Sequence, residues 1–149
     1  MKINESIKQL EFEDPQTKAW VNLMYTHNQL MDQTSHLYKK FGITKQQYNV
    51  LRILKGKGHE AVTCGEVKKV MLDKNPDLSR LGDRLVAKGL IQREVNEHNR
   101  REVELSITEK GLTLLRVMDP ELHKNNHFLS HLSNQEAEQL SDLLDKLRG

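Results

Sequence analysis

The first long pattern in the chain is a run of apolar positions spaced three and four apart between residues 20 and 41. That spacing is typical of one face of an α-helix. Asp14 followed by Pro15 is a common helix start, and Gly42 is a common helix end. The pattern therefore predicts one amphipathic helix of about seven turns. A short helical arm ahead of it is predicted by the apolar residues Ile3, Ile7 and Leu10.

Capping boxes predict where three further helices begin. In such a box a hydroxyl side chain at the N-cap accepts from a backbone N–H, and a Glu or Gln three residues later accepts in return. Each cap contributes about 0.5–2 kcal/mol. A fourth box at Thr108 is incomplete, because Gly111 takes the third position. The complete boxes are Thr44-x-x-Gln47, Thr63-x-x-Glu66 and Ser133-x-x-Glu136.

The segment LDKNPDLSRLGDRLVAKGL contains another helix start at Asn75-Pro76 and a helix end at Gly89. Its leucines fall on one face, which leaves a polar and basic face opposite. On that face Asp83 or Arg84 could pair back onto the domain. Together with the short helix before it, this helix predicts a helix-turn-helix.

Beyond that glycine the apolar period changes from helical spacing to every second position, most clearly at Val103, Leu105 and Ile107. Two strands around the turn NEHN are therefore predicted. The hairpin would form a wing beside the helix-turn-helix, with Arg100 and Arg101 at its tip. The predicted fold class is mainly α with a small β-wing (α+β).

Charge is unevenly distributed along the 149 residues. Residues 39–101 hold 15 Lys/Arg against 7 Asp/Glu, a net charge of +8, and the remainder holds 8 against 14, a net charge of −6. A basic centre between acidic ends favours a polyanion-binding module. The alternative is that these charge blocks are solvated faces without a ligand.

Composition limits the class of protein. Hydrophobic residues make up 36% and charged residues 30% of the chain, as in a globular protein of one domain. The N-terminus is polar and acidic and no apolar run approaches 18 residues, so we expect neither a signal peptide nor a membrane span, and a cytoplasmic location. There is no P-loop, GxSxG, dinucleotide fingerprint or HExxH, so we expect neither enzymatic activity nor a cofactor.

The segment LSRLGDRLVAKGLIQREVNEHNRREVELSITEKG resembles the recognition helix and wing of the MarR family of winged helix-turn-helix transcription regulators. GITKQQYNVL is similar to the family's second helix, and the likeness covers about residues 15–148. Members usually carry an aspartate two residues before the wing-tip arginine. This chain has Asn99 before Arg101, and an asparagine cannot pair as an anion.

The resemblance implies a single domain over residues 1–149, with a DNA-binding module at 43–107 and dimerisation helices at 1–42 and 108–149. It implies a homodimer, acting as a repressor on a palindromic operator. The alternative for the apolar residues of the terminal helices is packing within one chain. The predicted dimer seam consists of Ile3, Ile7, Leu10, Leu129, Leu132, Leu140, Leu143, Leu144 and Leu147.

The partner that follows from this arrangement is double-stranded DNA. The helix beginning at Pro76 would enter the major groove, where Asp77, Ser79 and Arg80 would contact bases. Other side chains and the capped helix start would hold phosphates, and the wing tip would enter the minor groove. The predicted DNA-contacting residues are Thr63, Lys68, Lys69, Lys74, Asn75, Asp77, Ser79, Arg80, Arg84, Arg100 and Arg101. Acidic residues on this face leave a winged-helix protein-interaction or architectural module as an alternative.

A small phenolic or aromatic effector is also implied by the resemblance, and the alternative for its candidate residues is ordinary core. Cys64, in the first turn of a helix, could gain thiolate character and sense redox state, against a plain structural cysteine. His123, His127 and His131 have a spacing that could bind zinc, against solvated histidines. The candidate effector-binding residues are Trp20, Met24, His27, Met31 and Tyr48.

Overall fold

The structure, a computed structural model, describes the chain except residues 10, 59, 74–75, 96–101 and 126, and except the side chains of residues 125, 127 and 129. The described chain divides into two compact units, Met1–His36 and Leu37–Gly149. The boundary between them falls within the long second helix.

The unit Met1–His36 contains α1 (Ile3–Ile7) and most of α2 (Pro15–Lys40). Both predicted helices are confirmed. Asp14 opens α2, since its carboxylate accepts from the N–H and from the hydroxyl of Thr17, each at 2.7 Å. These hydrogen bonds hold the pKa of Asp14 below its usual range.

The unit Leu37–Gly149 contains the capped helices, and all three complete capping boxes are confirmed. The hydroxyls of Thr44, Thr63 and Ser133 accept from the backbone N–H three residues on, and Gln47, Glu66 and Glu136 return the bond. The elements of this unit, after the end of α2, are α3 (Lys45–Gly56), β1 (Val62–Thr63), α4 (Cys64–Val70), α5 (Leu78–Ala87), β2 (Ile91–Val95), β3 (Val103–Ile107), α6 (Glu109–Asn125), a 3₁₀ turn (His127–His131) and α7 (Asn134–Arg148).

The three strands form an antiparallel sheet in the order β1-β3-β2. The predicted hairpin is confirmed, with Ile91 opposite Ile107 and Val95 opposite Val103. β1 is too short to have a periodic signal, and it pairs Val62 with Leu105 on the other edge of β3. The sheet and helices α3 to α6 therefore form a winged helix-turn-helix arrangement, mainly helical with a small β-wing.

The core of this unit is apolar and continuous. It joins the inner faces of α3, α4, α5 and α6 to the inward residues of the sheet. Gly89 ends α5 with φ +68°, a left-handed conformation that favours glycine. The fully covered large side chains are Val50, Leu51, Leu54, Val67, Leu85, Ile91, Leu105, Leu115 and Met118.

One predicted helix boundary is wrong. The helix predicted from Pro76 begins at Leu78, because the carboxylate of Asp77 caps it by accepting from the Arg80 N–H at 3.1 Å. α6 includes Pro120 and ends at Asn125.

The incomplete box at Thr108 still caps α6. Its hydroxyl oxygen accepts from the Gly111 N–H at 3.1 Å and its hydrogen is donated to the Gly89 carbonyl at 2.8 Å. Thr108 therefore ties the start of α6 to the end of α5. Within the part of the chain that the structure describes, no helix combines the length and apolar character needed to cross a bilayer.

Candidate nucleic-acid interface

The outer face of α5 is polar, basic and exposed. Leu78, Leu81 and Leu85 are buried on its inner side, while Ser79 and Arg80 lie in solvent on the other. This amphipathic division places the polar face where another molecule can reach it without disturbing the core. Arg84 lies on the same exposed side, one turn along from Arg80.

Both acidic residues of α5 have partners in the domain. Asp77 caps the helix, and Asp83 Oδ1 accepts from Arg93 Nη1 on β2 at 2.6 Å. The prediction that Asp83 could pair back is confirmed. This ion pair links α5 to the wing, although both side chains are well exposed and an exposed pair contributes only about 0–1 kcal/mol.

Replacing Asp77 tests its capping role. Asp77→Ala is expected to lower the free energy of unfolding by about 0.5–2 kcal/mol, because the Arg80 N–H loses its acceptor. Asp77→Asn keeps an acceptor oxygen and is expected to change stability by less than about 0.5 kcal/mol. Urea titration monitored by circular dichroism measures both, and equal losses in the two variants would contradict a capping role.

The Thr63 hydroxyl at the start of α4 is already hydrogen-bonded within the protein. Thr63 Oγ1 accepts from the Glu66 N–H at 3.2 Å and donates to Glu66 Oε2 at 2.8 Å. The side-chain and backbone hydrogen bonds from Thr63 keep the pKa of Glu66 below its usual range. Lys68 and Lys69 are exposed on the same helix and available to an anion. The predicted contacts at Lys74, Asn75, Arg100 and Arg101 lie outside the described residues.

The thiol of Cys64 does not have the character expected of a sensor. Burial raises its pKa, and the positive charge of Arg93 only partly opposes that effect. The expected gain of thiolate at the helix start is therefore wrong, because desolvation outweighs the favourable charge and backbone contributions. Cys64 is half-buried and remains protonated at neutral pH.

The five candidate effector-binding residues differ in exposure. Trp20 is 58% exposed and Met24 and His27 are also exposed, so the core interpretation is wrong for these three. Met31 and Tyr48 are half-buried. The helical period places Trp20, Met24, His27 and Met31 on one face of α2, but the burial of a side chain depends on what covers that face.

A polar cluster that no local pattern indicates joins α3 to α6. Asp119 Oδ1 accepts from the Tyr48 hydroxyl at 2.9 Å, and Asp119 Oδ2 accepts from Arg52 Nη1 at 2.8 Å and from Lys55 Nζ at 3.2 Å. The three donors recur at helical spacing along α3. That spacing is the only signal in the sequence, and it does not identify the acceptor.

The three histidines do not share one helix. α6 ends at Asn125 and the 3₁₀ turn begins at His127, whose side chain lies outside the description. His123 and His131 are exposed. Among the described residues, no group of three potential metal ligands comes together.

The leucines of α7 are largely uncovered in the single chain. Leu143 and Leu147 are each 64% exposed, and no residue of α7 is buried. Leu132 and Leu140 are exposed as well, and Leu144 is half-buried. In contrast Ile3 is 7% exposed, while Leu10 and the side chain of Leu129 lie outside the described residues. An apolar helical face without cover is typical of an association surface.

Comparisons with known proteins agree with this geometry. The family model described as "MarR family" matches residues 41–102. The transcriptional repressor MprA of Escherichia coli is 28% identical over 125 residues, which are 83% of this chain and 71% of MprA. A MarR transcription factor from Planctomyces limnophilus superimposes with a TM-score of 0.71 at 29% identity, over 91% of this chain and 98% of that one. The S. aureus protein MepR, solved as a complex with DNA, superimposes with a TM-score of 0.75 at 25% identity, over 92% and 97%.

Proposed function

We propose that this chain, which is similar to the MarR family of transcription regulators, is a repressor that binds a palindromic operator as a homodimer. The observation that carries the proposal is the exposed basic face of α5, held over a buried leucine face and flanked by an antiparallel wing. An α-helix fits the major groove, where all four base pairs can be distinguished. We expect the protein to act in the cytoplasm.

The acidic residues at α5 are hydrogen-bonded within the domain, which favours DNA over a protein as the partner of this face. Asp77 is used as a helix cap and Asp83 is paired with Arg93, so neither presents an isolated negative charge. Ser79 and Arg80 would contact base edges, and Arg84, Lys68 and Lys69 would contact phosphates. The contacts proposed for Thr63 use its backbone at the start of α4, since its hydroxyl is bonded to Glu66.

The homodimer is supported by the uncovered leucines of α7. We propose that residues 43–107 form the DNA-binding module, and that 1–42 and 108–149 hold two modules together. A two-fold axis would place the two α5 helices on half-sites about one helical turn apart. The wing-tip arginines Arg100 and Arg101, predicted from the sequence, would contact the minor groove.

An effector would be a small phenolic or aromatic molecule, as the resemblance implies. Met31, in the unit Met1–His36, and Tyr48, in the unit Leu37–Gly149, are each half-buried, and each is by itself a candidate for contact with the effector. Trp20, Met24 and His27 could contribute only if a ligand or a second chain covers them.

The sharpest test of base recognition is Arg80→Ala. We expect this variant to bind the operator more weakly by about 1–3 kcal/mol and to discriminate less between operator and random duplex, because a bidentate contact to a base is lost. Gel shifts with duplexes from the promoter of the protein's own gene, compared with shuffled duplexes, measure both quantities.

Arg84→Ala is the matched control, since it removes the same side chain from the same exposed side of α5. It is expected to weaken operator and shuffled duplex alike, as a phosphate contact would. Arg101→Ala should reduce the slope of log affinity against log salt by about 1. Equal losses on both duplexes for Arg80→Ala would remove that residue from base recognition.

A further inference from the structure

The polar cluster around Asp119 lies where the DNA-binding module meets α6. Tyr48, Arg52 and Lys55 all belong to α3, and their donors converge on one carboxylate of α6. Tyr48 and Lys55 are seven residues apart, which is about 10 Å along a helix. Because donors from two turns of α3 meet at a single acceptor, both sliding and rotation of α3 against α6 would break a hydrogen bond.

The acceptor of the cluster is more protected than the carboxylates of the surface ion pairs, although its partners Arg52 and Lys55 are 46% and 39% exposed. The Asp119 side chain is 15% exposed, whereas both side chains of the Glu109–Arg116 pair are well over half exposed. Burial alone would raise the pKa of Asp119, but hydrogen bonds from Tyr48 and Lys55 and the nearby positive charges lower it overall. The carboxylate is therefore ionised, and able to accept all three bonds, throughout the neutral pH range.

Tyr48 remains a donor under the same conditions. Burial, followed by the hydrogen bond to Asp119, raises the pKa of Tyr48 to about 12. Its ring also packs against Tyr38, with 5.6 Å between the ring centroids. The Tyr48 side chain is thus held at its ring by an aromatic contact and at its hydroxyl by a charge-assisted hydrogen bond.

α3 is well placed to transmit this restraint. Its inner face carries Val50, Leu51 and Leu54, all fully covered, and it contacts α4, α5 and β3. A well-packed core is not continuously deformable. This core also includes Leu115 and Met118 of α6, so the hydrogen bonds of Asp119 add a polar restraint to an apolar contact between α3 and α6. The orientation of α3 on α6 therefore sets the orientation of α5 relative to α6.

We propose that Asp119 is a positioning residue that fixes the DNA-binding module on α6 and so restricts the dimer to one separation of operator half-sites. The inference rests on the proposed function, in which two modules are presented together on a palindrome. Each added base pair shifts a half-site by about 3.4 Å and also rotates it about the DNA axis. A dimer with rigidly held modules tolerates such a shift poorly, and one with loosened modules tolerates it better.

The experiment measures affinity for a palindromic duplex whose spacer is shortened or lengthened by one and two base pairs. We expect the unmodified protein to prefer one spacer length. Its affinity should fall about tenfold or more when the spacer changes by one base pair. Asp119→Asn keeps the shape but removes the charge. We expect it to bind the preferred duplex about fivefold more weakly. Its affinity should fall by less than about threefold when the spacer changes by one base pair.

Two further variants separate positioning from general damage. Glu109→Gln removes one negative charge from the same helix. Among the described residues Glu109 forms an ion pair with Arg116 of α6 itself, so this variant should leave the spacer profile unchanged. Tyr48→Phe removes one donor without changing charge and should broaden the profile partially. If Asp119→Asn proves unfolded in circular dichroism, the Tyr48→Phe profile decides the question.

The outcomes are distinguishable. A spacer profile that Asp119→Asn leaves as sharp as before, or an equal loss of affinity at every spacer, would overturn the positioning role while leaving the proposed function intact. An unmodified protein that shows no preference for palindromic over shuffled duplex would overturn the proposed function itself. A broadened profile in Asp119→Asn and Tyr48→Phe, but not in Glu109→Gln, is the result we expect.

Discussion

Gly111→Ala is expected to lower the free energy of unfolding by at least about 3 kcal/mol. A Cβ at this position would lie 2.3 Å from the carbonyl oxygen of Leu90 and 2.8 Å from Cγ1 of Ile107. The first of these is a backbone atom, and Leu90 and Ile107 are both buried. Relief would require α6 to move away from the sheet, which would break the bonds that Thr108 makes at the same place.

Thermal and urea unfolding of the variant measure this effect, and Gly82→Ala provides the matched control. Gly82 lies inside α5, and a Cβ there would meet no atom within 4 Å. The control is expected to gain about 0.5–1 kcal/mol, because alanine is the better helix former. If Gly111→Ala unfolded at the same denaturant concentration as the unmodified protein, the close approach of α6 to the sheet would be wrong.

Gly111 also shows what a local pattern can and cannot predict. In the sequence it is the residue that leaves a capping box incomplete and that ends the segment resembling the MarR family. The reason for glycine is steric and lies in residues 21 and 4 positions earlier, Leu90 and Ile107. Helix starts at Thr44, Thr63 and Ser133 could be predicted because a cap involves only neighbouring residues. The predicted start of α5 at Asn75-Pro76 is too early, because the carboxylate of Asp77 caps the helix.

Some features of the candidate site could be predicted from the sequence and others could not. The polar face of α5 follows from helical periodicity, so Ser79, Arg80 and Arg84 could be placed together from the sequence. The junction between α3 and α6 could not, since Asp119 is 64 to 71 residues from its three partners. The core interpretation is also wrong for Trp20, which lies exposed on its helical face.

The combined variant Leu143→Gln and Leu147→Gln is expected to convert the proposed dimer to single chains. Each leucine is 64% exposed in one chain, so covering that exposed area in a dimer would contribute about 1–2 kcal/mol per side chain. Two-fold symmetry makes every substitution count twice. Four lost side-chain contacts therefore cost at least about 4 kcal/mol, which raises the dissociation constant of the dimer roughly 1,000-fold.

Sedimentation velocity at micromolar concentration measures the change in mass. Glu138→Gln with Ser141→Gln, on the polar face of the same helix, is the control and is expected to remain dimeric. Glutamine is a good helix former, so neither pair should unwind α7. A leucine variant that kept the mass of two chains would show that α7 is not the seam.

The same substitutions should separate association from folding, because the two depend on different residues. The core of the DNA-binding module contains no residue of α7, so its unfolding transition should be retained when the leucines are replaced. Operator affinity should nevertheless fall by orders of magnitude. A single module binds one half-site, whereas in a dimer the second module is held near its own half-site at a high effective concentration. A variant that is folded and monomeric but binds the palindrome as tightly as the unmodified protein would mean that one module alone supplies the affinity.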